Sequence, residues 1–241
     1  MRTTEKSLQK RLLKASWEKY HKKSDDPETF YSILYLDGKG VEPVARLDRS
    51  ILFLAVWNAW GPNREPGAAR ALEFLPKFLS ENASTIRSLR GRSLLTLDDR
   101  DFANIGHLAT QLDSGLSFAV VKEGGKTVST RTPTAWGKLL HFLAPESILL
   151  WDSEYVRNGP LQLDDGPGDF VCLQRWGKRL LQHLENESRG SVPKMLGNHR
   201  MQTKGRYDEP VTKFLDEVMY DPEAVRLAIS AIGEPYSHAV T

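Results

Sequence analysis

Apolar residues recur at helical spacing along almost the whole of this chain, and the breaks between them carry caps, prolines and glycines rather than strand-forming runs. Leu8, Leu12, Leu13, Trp17 and Tyr20 mark one face of an amphipathic helix over 4–22. Asp25-Asp26-Pro27 starts a short helix through Leu36, and Asp37-Gly38-Lys39-Gly40 ends it. Asp48 caps a strongly apolar helix over 51–60, closed by Gly61-Pro62 and expected at the centre of the core. The same periodicity predicts helices over 66–80, 82–90, 98–112, 134–143, 152–157, 168–187, 209–220 and 222–231. Only Ser117–Val121 and Lys126–Thr130, joined through Glu123-Gly124-Gly125, have the composition of a small β-hairpin.

The expected fold is therefore mainly α, a compact helical bundle with at most one small hairpin. It reads as a single domain over 1–241, with a basic helical extension over 1–40 and a loop plus closing helices over 190–241. No glycine-rich phosphate loop and no βαβ alternation is present, which argues against a nucleotide-dependent α/β enzyme.

One cysteine, Cys172, excludes an internal disulfide and a cysteine-based metal cluster, and fits a reducing compartment. His107, His183 and His199 fall on separate elements without metal-ligand spacing, so neither metal nor cofactor is expected. There is no apolar run of about 18 residues and no signal-peptide core near Met1, so the sequence predicts a cytoplasmic protein without a membrane span.

A formal charge of +2 conceals local asymmetry. Residues 1–23 hold Arg2, Lys6, Lys10, Arg11, Lys14, Lys19, Lys22 and Lys23 against Glu5 and Glu18, and the stretch from Lys194 through Arg200 and Lys204 to Arg206 contains no acid. Lys10, Lys14, Arg200 and Lys204 are the candidate contacts to a phosphate-bearing partner such as nucleic acid. Solvated helix and loop surface is an equally good account of either stretch alone.

The segment from Thr132 to Arg157 carries the clearest chemistry. Gly137-Lys138 lies near the start of one expected helix, and Asp152 caps the next after the apolar run Ile148-Leu149-Leu150-Trp151. A lysine near the positive end of a helix dipole, flanked by Trp136, Leu139 and His141, loses part of the preference for its charged form. As a neutral amine it can attack an electrophilic carbon such as a sugar C1′ and form a Schiff base. A carboxylate held ionised nearby stabilises the cationic sugar that develops. Trp136 or Trp151 is placed to stack on an extruded base, and His141, three residues after Lys138, to hydrogen-bond within the same site. Against this stand an amphipathic surface lysine, a capping aspartate, core tryptophans and a buried structural histidine.

Gly137-Lys138 followed by Trp151-Asp152-Ser153-Glu154-Tyr155-Val156 resembles the helix-hairpin-helix DNA glycosylase superfamily, over roughly residues 95–160. The resemblance implies a helix-hairpin-helix fold, Lys138 as nucleophile, Asp152 as its electrostatic partner, and base excision from DNA. The chain lacks the family's leucine–proline–glycine–x–glycine hairpin, keeping only Gly137, and its lysine-to-aspartate spacing, 138 to 152, is short for the family. A single cysteine also excludes the iron–sulfur cluster of some members. The pattern Lys138-x-x-His141-Phe142-x-x-Pro145 with Trp151-Asp152-Ser153 is similar, besides, to small bacterial proteins of unassigned function.

Two main readings follow, ahead of a weaker third, a component of a defence or toxin system acting through a protein partner. In one the protein is a glycosylase-like base-excision enzyme. In the other it is a non-catalytic helical module that binds nucleic acid or protein, in which Lys138 and Asp152 merely join two helices. Catalysis requires the two tips within about 10 Å of each other and Lys138 out of bulk solvent, whereas a pair ion-paired under cover favours a structural role.

Overall fold

A computed structural model describes residues 8, 11–15, 65–121, 127–130, 133–188 and 211–236. The helices expected over 27–36 and 51–60, and the basic residues Lys10, Arg200 and Lys204, lie outside the described residues. The observed elements are α1 (Glu65–Glu81), α2 (Ala83–Arg90), a 3-10 turn (Leu94–Thr96), α3 (Asp99–Leu116), β1 (Phe118–Val121), β2 (Thr127–Thr130), α4 (Pro133–Leu143), α5 (Ser153–Arg157), α6 (Pro167–Ser188), α7 (Val211–Met219) and α8 (Pro222–Ile232). The protein is thus mainly α, with β1 and β2 forming a two-stranded antiparallel ladder in which Phe118 faces Thr130 and Val121 faces Thr127.

Local chemistry explains the element ends. Asp98 caps α3 by accepting from the Asp101 amide at 3.0 Å, and Asp101 accepts from the Asp98 amide at 2.8 Å, a reciprocal capping box. These bonds hold the Asp98 carboxyl below its usual range. Asp221 caps α8 through the amides of Glu223 and Ala224, with Pro222 supplying a preset backbone angle in the first turn. The described part of the N-terminal segment is helical over 11–15, and Leu8, Leu12 and Ala15 enter the core. Arg11, one of its cations, reaches Asp221 at 3.0 Å and Glu223 at 2.8 Å. Part of the basic face is thereby committed to docking this segment on α8.

Helix α3 packs against both α6 and α4, and α4 meets α6 in turn through Trp136 and Phe170. Two helices are covered almost all round. Every residue of α4 except Thr134 is buried, and so are Thr212 to Met219 of α7. The sequence places α7 among the closing helices; its apolar residues Phe214, Leu215, Val218 and Met219 share one face, and the polar residues of the opposite face, Thr212, Lys213, Asp216 and Glu217, are buried as well. Among the described residues, no helix is long and apolar enough to cross a membrane.

Candidate functional site

The run Ile148 to Trp151 has no regular secondary structure, and a buried segment of that kind needs partners for its backbone. Gln174 of α6 supplies them for Leu149: its side-chain carbonyl accepts the Leu149 amide at 2.6 Å and its NH2 donates to the Leu149 carbonyl at 3.0 Å. Upstream, the buried Ser147 hydroxyl bonds the Leu89 and Arg92 carbonyls. The run is therefore fixed between α6 and the α2 end before it delivers Asp152. The Asp152 carbonyl then accepts the Tyr155 amide at 3.1 Å and the Val156 amide at 3.0 Å, starting α5.

Gly137 sets the distance between α4 and this run. A Cβ at Gly137 would stand 2.6 Å from the Trp151 Cβ, so only glycine allows the two segments to touch. Gly137 and Lys138 are the fifth and sixth residues of α4, which corrects the expectation that they lie near its positive end and that Gly137 marks a hairpin turn. They sit within a continuous helix, beyond the first turn, where the dipole has little hold on a lysine. What affects Lys138 is burial and its partner. Its Nζ stands 3.8 Å from Asp152 Oδ2, with side-chain exposures of 8% and 21%. The two sequence-predicted groups are brought together, with the aspartate at the solvent edge and the lysine beneath it.

A hydroxyl hub lies next to this pair. Ser153 Oγ accepts from Thr134 Oγ1 at 2.9 Å and from Trp151 Nε1 at 3.1 Å, and donates to Asp165 Oδ1 at 3.0 Å. One donor and two acceptor positions are filled, the full capacity of a hydroxyl. Arg157 meets the other Asp165 oxygen at 3.2 Å. The sequence reads Asp164-Asp165 as a solvated turn. Asp164 is exposed, but Asp165 is a bridge between the start of α5 and the approach to α6.

Trp136, Trp151 and His141 are not at a surface. Trp136 and Trp151 are fully covered, both against Phe170, at ring-centroid distances of 5.0 and 5.9 Å. Trp136 Nε1 donates to Asp113 at 3.3 Å. Neither indole offers a face to an extruded base in this conformation, because both faces are needed to fill the core. His141 is also fully buried, with Nδ1 2.5 Å from the Ile148 carbonyl. A carbonyl only accepts, so Nδ1 carries the proton. Desolvation, reinforced by the charge of Lys213, pushes its pKa down to about 4 against the opposing pull of that hydrogen bond. His141 is a neutral core residue. Lys14 is exposed on the N-terminal segment.

Sequence reasoning missed two features. The first is Lys213 and Asp216, 2.7 Å apart on α7 with side-chain exposures of 0% and 1%, next to buried Glu217. Sequence gives little signal for it: on an amphipathic helix the polar face that carries Lys213, Asp216 and Glu217 reads as solvent-facing, and only tertiary packing covers it. The second is a groove of about 950 Å3 between α6 and the start of α3, lined by Arg175, Lys178 and Arg179. It arises from tertiary packing and has no local signature. Among the described residues no group of three His, Cys, Asp or Glu side chains is arranged to hold a metal ion.

No protein-family model, curated protein or solved structure matches this chain.

Proposed function

We propose that the protein is a glycosylase-like base-excision enzyme acting through Lys138 and Asp152. The observation that carries this reading is the 3.8 Å approach of an amine and a carboxylate delivered by two different elements, with the aspartate open to solvent. Groups that act together must come that close, and burial works against the charged amine while the neighbouring carboxylate works for it. In the reaction Lys138 gives up one proton to water and its nitrogen bonds C1′ as the N-glycosidic bond breaks, the base leaving with that electron pair and taking up a proton. The nitrogen then loses a further proton, and the C1′–O4′ bond breaks as the ring oxygen is protonated, which leaves the opened sugar as a protonated imine on Lys138. Asp152 stabilises the cationic sugar along the way. Substrate reaches Lys138 only when the cover above it opens.

The cover itself favours the second reading, a non-catalytic helical module in which the pair joins α4 to α5. One experiment separates them. The full chain is incubated with oligonucleotides carrying uracil, 8-oxoguanine, an alkylated base or an abasic site, in the presence of borohydride. A covalent adduct that disappears in Lys138→Gln supports the enzyme. Absence of any adduct across the panel, with the protein folded, leaves the module.

A further inference from the structure

We propose that residues 233–236 are a releasable strap closed over the face of α6 that carries Cys172, hinged at Gly233 and latched by the Tyr236 hydroxyl on Asp169. The proposal stands whether or not Lys138 reacts. The strap starts where α8 ends. Gly233 donates its amide to the Ile229 carbonyl at 2.7 Å and has φ 80°, a backbone angle that favours glycine. That turn takes the chain off α8 and onto α6. Residues 169, 172, 176 and 179 recur at helical spacing and share one stripe of α6. The strap is bonded along this stripe: the Gly233 carbonyl accepts from Trp176 Nε1 at 3.0 Å, the Glu234 carbonyl accepts from Arg179 at 2.8 Å, and the Tyr236 hydroxyl donates to Asp169 Oδ1. Cys172 is half-buried and stands on the stripe between Asp169 and Trp176, the partners of the strap's two ends. Pro235, between those ends in the strap, is buried and lines the same groove as Cys172.

The closed position is specified, and it is also weakly held. Of the four strap residues only Pro235 is buried, so little apolar surface returns to water when the strap lifts. Tyr236 is 43% exposed, which lets water take over both halves of the latch. Against this, proline at 235 restricts the open chain and reduces the entropy lost on closing. Burial of the Tyr236 hydroxyl, then its bond to Asp169 and the charges of Asp169, Cys172 and Asp164, push its pKa up from the ordinary value. The hydroxyl therefore stays a donor, and its bond to a carboxylate is of the stronger, charge-assisted kind. A segment this short, near the end of the chain and balanced between one such bond and its own freedom, opens locally without the rest of the molecule.

Cys172 is the one cysteine of the chain, so its thiol reports the opening directly. Burial pushes the thiol's pKa up, and lifting the strap both uncovers it and eases that burial, two effects that raise its reactivity together. The rate of Cys172 labelling by a maleimide, measured on the full chain at mildly alkaline pH, therefore tests the proposal. Tyr236→Phe keeps the ring and removes the latch, and should label about tenfold faster than wild type, the size of one charge-assisted hydrogen bond. Pro235→Gly removes the buried side chain and frees the open segment, and should label several-fold faster. Both variants should keep the wild-type melting temperature, because the strap opens apart from the core. The faster labelling should also be insensitive to urea below the unfolding transition, whereas labelling through global unfolding climbs steeply with denaturant. Equal rates in wild type and Tyr236→Phe, or an acceleration that appears only as urea approaches the transition, would each overturn the proposal.

Discussion

Among the described residues are two lysine–aspartate pairs built in opposite ways. Lys213 and Asp216 sit three residues apart on one helix, in hydrogen-bond contact at 2.7 Å and sealed from solvent. Lys138 and Asp152 come from separate elements, stand 3.8 Å apart, and have one member at the solvent edge. Removing charges from water is costly and is repaid only by close geometry, so the sealed pair has to be tight. The looser pair is under no such demand because Asp152 keeps part of its hydration. Exchange of a proton or approach of a third group is open to the looser pair and closed to the sealed one. The contrast makes the α7 pair a part of the packed interior and leaves the junction of α4 and α5 as the place of the proposed chemistry.

The largest expected effect lies in the sealed pair. Lys213→Ala leaves Asp216 charged and buried without its ammonium, and should cost about 3–5 kcal/mol in denaturant unfolding. The double change Lys213→Met with Asp216→Leu should recover most of that loss, since well-packed apolar residues often replace a buried pair at little cost. A Lys213→Ala protein as stable as wild type would break the comparison.

His141, which feels the Lys213 charge, gives the next largest effect, this time in pH. Its folded pKa of about 4 lies below the unfolded value of 6.5. Between those values the unfolded chain binds the extra proton, so stability rises with pH across this window. The contribution is complete above about pH 6.5 and is lost as pH falls toward 4, amounting to about 3 kcal/mol. Unfolding free energies measured from pH 7 to 4 should show a shallower slope in His141→Gln than in wild type.

At the junction of α4 and α5 the expected effects shrink. Gly137→Ala forces a Cβ to within 2.6 Å of the Trp151 Cβ, backbone-anchored atoms that cannot turn aside. The cost should be about 1–3 kcal/mol from overpacking, read as a lowered melting temperature. Because that strain separates α4 from the Asp152 run, Gly137→Ala should also change any borohydride adduct at Lys138, whereas a remote core substitution of equal cost should not.

How far the sequence announced these features depends on whether the cause is local. Helix periodicity and caps placed α4 at 134–143 against an observed Pro133–Leu143, and α8 at 222–231 against Pro222–Ile232. Both patterns are set by residues within a few positions of one another. The meeting of Lys138 with Asp152 was legible as well, because one helix and one short connection separate them. Gly137 was misread because its reason is Trp151, and nothing in the neighbouring sequence distinguishes a close-approach glycine from a turn glycine. The tryptophans were read two ways, and only packing against Phe170 decides that both are core. Asp165, read as solvated, gains its role from Ser153 and Arg157 on a separate element. The groove on α6 needs the α3 start opposite it to exist at all.

The smallest stability effect is expected where the largest chemical one is proposed. Lys138→Gln removes the ammonium but leaves Asp152 able to take up water, its side chain being 21% exposed. The loss should therefore be about 1 kcal/mol, in the range of partly exposed pairs rather than sealed ones. Asp152→Asn preserves shape and removes the charge, and should cost a similar amount. If the pair is architectural, these modest losses are the whole consequence, and any nucleic-acid affinity is unchanged. If it is catalytic, both variants keep the fold while Lys138→Gln abolishes the borohydride adduct and Asp152→Asn slows its formation. A cost near that of Lys213→Ala would instead place Lys138 and Asp152 in the same structural class as the sealed pair. Unfolding and adduct formation measured on the same preparations therefore distinguish a junction that is only held together from one that reacts.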